Sequence, residues 1–366
     1  MDDKMPVPDF DGLNFATTGV GSVPFDDPEA AVDLIWECCT IPYWPQLSAA
    51  RPTEDMSLQY TEGLPLLRVD PGTRSVTLDD RADRATALAG FYEKVLLGDP
   101  EPFAITEEFA AGLHAFLRRL AAEPPPSGWV KGQVVGPFTQ AAVIRDATGK
   151  AVVHDLEMLE AITQGLALKA VWQVKRFNDL GQKAIVFFDE PILSGFGSAF
   201  SSLDRDQVIR VWSDLFDAVR GQVQVRLGVH CCGNTDWSLL IDAGVDIVNI
   251  DSFGFGQGLL LYPEAVASFY ARGGVVAWGA VPTAQFQGDE TAAGLWDKLK
   301  PILDGVAAGG VNRTAVSDQA LITPSCSLIA AQALITPSCG MATRADEAAE
   351  RIHHLLGEVA ALARKG

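Results

Sequence analysis

Apolar and polar positions along the chain fall into two alternating kinds of segment. Eight short runs are apolar almost throughout and mostly close on Gly, Pro or Asp: FATTGVGS (15–22), IPYWPQL (41–47), GWVKGQVVGP (128–137), KAIVFFDEP (183–191), VRLGVHCCG (225–233), DIVNIDSFG (246–254), GVVAWGAVP (274–282) and ALITPSCG (333–340). Between them, segments such as PEAAVDLIWECC, DRATALAGFYEKVLLG and DRDQVIRVWSDLFDAVRG repeat apolar residues three and four apart, the period of a helix with one buried face. Apolar runs without alternation predict strands covered on both faces, and their exchange with helices predicts an α/β fold with a parallel sheet. Eight such units predict a single (β/α)8 TIM barrel, one domain spanning residues 1–366. The segment from about 52 to 127 holds two further helical patterns and is expected to be an elaborated helical insertion after strand two.

Charge narrows the range of partners. With 47 acidic against 28 basic residues, the formal net charge is −19, which repels nucleic acid and anionic membrane surfaces. The opening MDDKMPVPDFDG lacks the apolar stretch of a secretory signal, and no run of 18 apolar residues occurs. A cytoplasmic location is the expectation. In that compartment the 6 cysteines are expected to be thiols or metal ligands rather than disulfides.

A barrel places its chemistry at the C-terminal ends of its strands. Those ends read GVGSVP, GPFT, FFDEP, HCCGN, NIDSFG and TPSCG, so thiols, an imidazole and carboxylates converge on one rim. His230 and Cys232 sit two apart and share a strand face, whereas Cys231 between them points the other way. A cysteine of ITPSC would supply a third ligand, and Asp251 stands where a fourth oxygen could reach. Two thiolates and an imidazole favour zinc over magnesium or calcium. The Asp189–Glu190 pair could also be a general acid/base couple, but strand neighbours point oppositely, so one of the two is expected to be structural.

Taken in order, GVGSVP, GPFT, FFDEP, HCCGN, NIDSF, WGAVPT and TPSCGMATR resemble the catalytic barrel of cobalamin-independent methionine synthase. They are similar as well to the zinc methyltransferases of the uroporphyrinogen-decarboxylase-like superfamily, from about residue 14 to 360. The resemblance implies an enzyme in which zinc activates a thiol that takes up a methyl group, homocysteine giving methionine. It implies zinc ligands at His230, Cys232 and Cys339, with Asp251 in place of a glutamate ligand one methylene longer. It also implies that Asp189 holds the substrate amino group, Ser22 its carboxylate, and that Glu190 orients its neighbour. The full methionine synthases have a second barrel that 366 residues do not accommodate, and the acidic chain suits a folate polyglutamate poorly. A methylcorrinoid on a partner protein is therefore the expected donor. Two rival readings are a porphyrinogen decarboxylase, which needs arginines for its substrate's carboxylates, and a non-catalytic barrel that handles a metal or a corrinoid.

The third ligand is ambiguous because QALITPSC occurs twice, at 319–326 and 332–339. Gly340 after Cys339 suits a tight turn beside a metal. Cys339 is therefore the expected ligand and the second copy the expected strand, with Cys326 as the alternative.

Overall fold

The computed structural model describes residues 7–10, 12–197, 203–326 and 345–365. The long helices follow the sequence pattern: α1 (Pro28–Cys38), α3 (Arg84–Leu97), α4 (Ala111–Ala122), α6 (Leu156–Asp179), α7 (Arg205–Arg220), α10 (Pro263–Ala271), α11 (Ala292–Ala308) and the C-terminal α13 (Ala345–Ala363). Shorter ones are α2 (Met56–Gln59), α5 (Pro137–Val143), α8 (Trp237–Asp242), α9 (Ser252–Phe255) and α12 (Arg313–Asp318). Several starts are set by side chains that accept otherwise unpaired backbone N–H groups. Asp27 caps α1, Asp155 caps α6 and Asp204 caps α7.

Seven parallel strands make the main sheet, in the order β1 (Ala16–Thr17), β9 (Ala320–Pro324), β8 (Val275–Val281), β7 (Ile247–Ile250), β6 (Arg226–Cys231), β5 (Lys183–Asp189) and β4 (Trp129–Val135). Segment 41–47, expected as strand two, does not form a regular strand, since two prolines remove backbone donors from it. It nevertheless touches both sheet edges. Ile41 N donates to Thr17 O beside β1, Lys131 N of β4 donates to Pro42 O, and Ser22 and Gln46 form a parallel bridge. The insertion carries the two expected helices, α3 and α4, but also the short α2 and an antiparallel hairpin, β2 (Leu67–Asp70) with β3 (Ser75–Leu78), which its sequence pattern did not suggest. Exposure alternates along β2 and leaves Val76 as the one buried residue of β3, so the hairpin lacks the continuous apolar run used to find strands.

The last strand is formed by the first copy of the repeat. The expected strand at 333–340, with Cys339, lies outside the described residues.

The two faces of the curled sheet hold different cores. On the outer face, Val186, Phe188, Val229, Val248 and Trp278 pack among the helices. On the inner face, Ala16, Trp129, Ile185, Phe187, Ile247, Val275, Ala277 and Leu321 gather with Phe10 and Ile41 into a separate cluster. Most of these inner positions lie in the first half of their strands. Continued at a spacing of two toward the C-terminal ends, the same face carries Lys131, Gln133, Asp189, His230, Asn249 and Thr323, all buried.

Candidate metal centre

Strand register brings the polar inner row together. Asp189 pairs with His230, and His230 with Asn249, across β5, β6 and β7. Beyond the strand ends, Cys232 follows β6 and Cys326 follows β9. One nitrogen of His230 and the Sγ atoms of Cys232 and Cys326 lie within 4.8 Å of one another, close enough for one ion to touch all three. Gly279 permits the approach of β9: a Cβ there would stand 2.6 Å from Ile250 O and 2.8 Å from Ser325 Cα.

The tautomer of His230 follows from its partners. Asn249 Nδ2 donates to Ala277 O at 2.9 Å and to Thr323 Oγ1 at 2.8 Å, which fixes the amide orientation because a carbonyl can only accept. Asn249 Oδ1 therefore faces His230 Nδ1 at 2.7 Å, and Nδ1 must carry the proton. Nε2 is left as a bare lone pair, buried and with no hydrogen-bond partner. Burial pushes the imidazole pKa down to about 4, so the ring is neutral near pH 7. A buried acceptor with nothing to accept is costly unless a cation satisfies it. Cys232 is pulled down to about 7, chiefly by its contact with Cys326 and against the effect of burial. A neutral imidazole and a readily ionised thiol fit a soft divalent metal such as zinc.

The trio opens on a cavity of about 360 Å³ that Ser22 and Asp189 also line. Asp189 is 7% exposed, and its Oδ1 has no partner. Burial raises its pKa, Lys131 opposes that rise, and Cys232 adds to it. Lys131 lies in the buried interior, where Nζ donates to Val20 O at 2.6 Å and to Gln133 Oε1 at 3.1 Å over the Phe187 ring.

Two expected site residues stand elsewhere. Glu190 does not line the cavity. Its carboxylate accepts from Phe138 N at 3.1 Å, from Thr139 N at 2.6 Å and from the Thr139 hydroxyl, which fastens the first turn of α5. Burial still raises it from 4.5 to about 7. Asp251 is not a member of the ligand trio; it caps α9 by accepting from Gly254 N at 2.8 Å, one of its oxygens thereby being engaged.

The far wall of the cavity was missed in the sequence. Gln46 closes segment 41–47, Ser48 follows it, and Asp55, Met56 and Ser57 come from the insertion, where no pattern marks them. Asn249 and Lys131 did carry a signal, since each is a polar residue inside an otherwise apolar run. No helix among the described residues is long and apolar enough to cross a membrane. Comparison with known proteins finds no family model that matches this chain and no curated protein similar to it.

Proposed function

We propose that the protein is a zinc-dependent methyltransferase that methylates a small thiol, homocysteine being the best fit, with a methylcorrinoid as donor. The observation that carries this reading is the bare Nε2 of His230 facing two thiols at the head of a cavity. In the same reading, the curled sheet with segment 41–47 as an irregular eighth stave is a (β/α)8 barrel, supported by the hydrogen bonds of that segment to both edges.

His230, Cys232 and Cys326 would hold the ion. Zinc bound there supplies a Lewis acid that lowers the pKa of an incoming thiol. The chain's own residues do the rest. Asn249 fixes the imidazole so that its lone pair points at the thiols. The unpartnered Asp189 oxygen accepts an ammonium N–H, and Ser22 offers a hydroxyl in the same cavity. Val20, Met56 and Pro191 limit water around the reacting end. The cavity lining among the described residues includes no arginine or lysine, which counts against a porphyrinogen decarboxylase.

The test is methyl transfer from methylcobalamin to homocysteine by zinc-loaded protein. Turnover should be lost in Cys232→Ser, and Asp189→Asn should raise KM for homocysteine far more than for thiols that lack an amino group. A loaded protein that binds homocysteine without turnover would favour the non-catalytic reading.

A further inference from the structure

At the other end of the strands, three arginines line one cavity of about 370 Å³: Arg220 at the end of α7, Arg226 at the start of β6 and Arg272 just after α10. Two carboxylates share this lining. Asp242 is held by Arg205 at 2.5 Å, outside the cavity. Asp246 touches one of the three guanidinium groups directly, and both its oxygens are in use. Oδ1 meets Arg220 Nη2 at 2.9 Å and Oδ2 accepts from Leu227 N at 2.8 Å. Asp9 faces the adjoining cavity on the far side of Arg226.

Each guanidinium also lies over a ring: Arg220 on Phe216, Arg226 on Phe10 and Arg272 on Phe269, at 5.3 to 5.6 Å from the ring centres. Backbone carbonyls take some of the donors. Arg226 reaches Pro8 O and Gly273 O, and Arg272 reaches Ile241 O and Val245 O. Carbonyls satisfy N–H groups without cancelling charge. Arg220 Nε stays buried with no partner. Burial lowers the pKa of Arg226 and of Arg272 and repulsion from Arg220 adds to it, while Asp246 opposes at both, Asp9 at Arg226 and Asp242 at Arg272. The lining sets three guanidinium groups against two carboxylates, one fixed cation in excess within a chain of net charge −19.

We infer that this cavity is a binding site for a phosphoryl dianion, gripped by the planar forks of Arg220, Arg226 and Arg272. It is separate from the metal centre, because Arg226 precedes His230 by four residues of extended strand, about 13 Å.

The experiment is calorimetric titration of the full chain with inorganic phosphate, then with glycerol phosphate, at constant ionic strength. Saturable one-site binding is expected, weakened at least tenfold in Arg272→Gln and unchanged in Cys232→Ser. Should Arg272→Gln fail to fold, Arg272→Lys keeps the charge, loses the fork and should weaken binding severalfold. Tighter binding of glycerol phosphate would identify a phosphorylated metabolite as the natural ligand, and equal or tighter binding of phosphate the free ion. The site is overturned if wild type shows no saturation, if either Arg272 variant binds as wild type does, or if Cys232→Ser abolishes binding.

Discussion

In the first half of the strands the inner face closes on Phe10, Trp129, Ile185, Ile247 and Val275, while further along the same strands it holds Lys131, Asp189, His230, Asn249 and Thr323. Both halves are buried, yet they serve different ends. The lower half removes apolar surface from water, and that burial stabilises the sheet. The upper half buries groups that cost free energy unless each has a partner, and two of them, Asp189 Oδ1 and His230 Nε2, have none. A fold that maximised stability would place apolar side chains there. Two unpartnered polar atoms on the paired residues Asp189 and His230, facing one cavity, are what a binding site requires.

The same contrast recurs within one dipeptide. Asp189 and Glu190 are adjacent, buried and both raised in pKa by burial, but Glu190 has its oxygens filled by α5 whereas Asp189 faces the cavity. Substitutions should separate structure from site along this line.

The largest effect is expected at the ligands. His230→Ala or Cys232→Ala should weaken zinc binding by roughly a hundredfold or more in competition with a chelator, while circular dichroism stays close to wild type, since a sheet this large does not need a metal to fold. Unfolding of the metal-free protein at room temperature would make the site structural instead. Glu190→Ala should do the reverse. It strands the donors of Phe138 and Thr139 and should cost about 2–4 kcal/mol in urea denaturation, with zinc content unchanged.

Asn249→Leu tests how the imidazole is held. Losing that partner frees the tautomer and should lower zinc affinity about 10- to 100-fold. The smallest effect belongs to Asp189→Asn, within about 1 kcal/mol of wild-type stability near pH 4, where the carboxyl is neutral in the folded chain and an oxygen without a partner loses no bond. Its sign should depend on pH. The folded pKa of Asp189 stands above its ordinary value, so folding favours the protonated form; that contribution is present at low pH and is lost as pH rises through the raised pKa. Asn carries no charge to bury, so the variant should gain on wild type as pH increases. Parallel stability curves from pH 5 to 8 would contradict the buried placement of Asp189.

Much of this was legible in the sequence because strand periodicity carries it. The two-residue spacing of His230 and Cys232 fixed their common face, and Cys231 does point into the outer core. What the pattern could not resolve was the repeat. Two identical octapeptides have identical propensities, and only the pairing of Ala320–Pro324 between β8 and β1 selects the first copy as the strand. Asp251 and Glu190 look like site carboxylates in sequence because a helix cap and a catalytic acid can occupy the same strand-end position. The choice depends on whether a helix begins next to them, as α9 does at Ser252 and α5 does at Pro137. The cavity wall at 46–57 was invisible because irregular chain has no period.

The most direct test of the metal centre is X-ray absorption at the zinc edge on wild type and on the Cys326→Ser and Cys339→Ser variants. Wild type should show two sulfur neighbours and at least one nitrogen, falling to one sulfur in Cys326→Ser and staying at two in Cys339→Ser. A wild-type protein that takes up no zinc, or a sulfur lost in Cys339→Ser and kept in Cys326→Ser, would contradict a centre built from His230, Cys232 and Cys326.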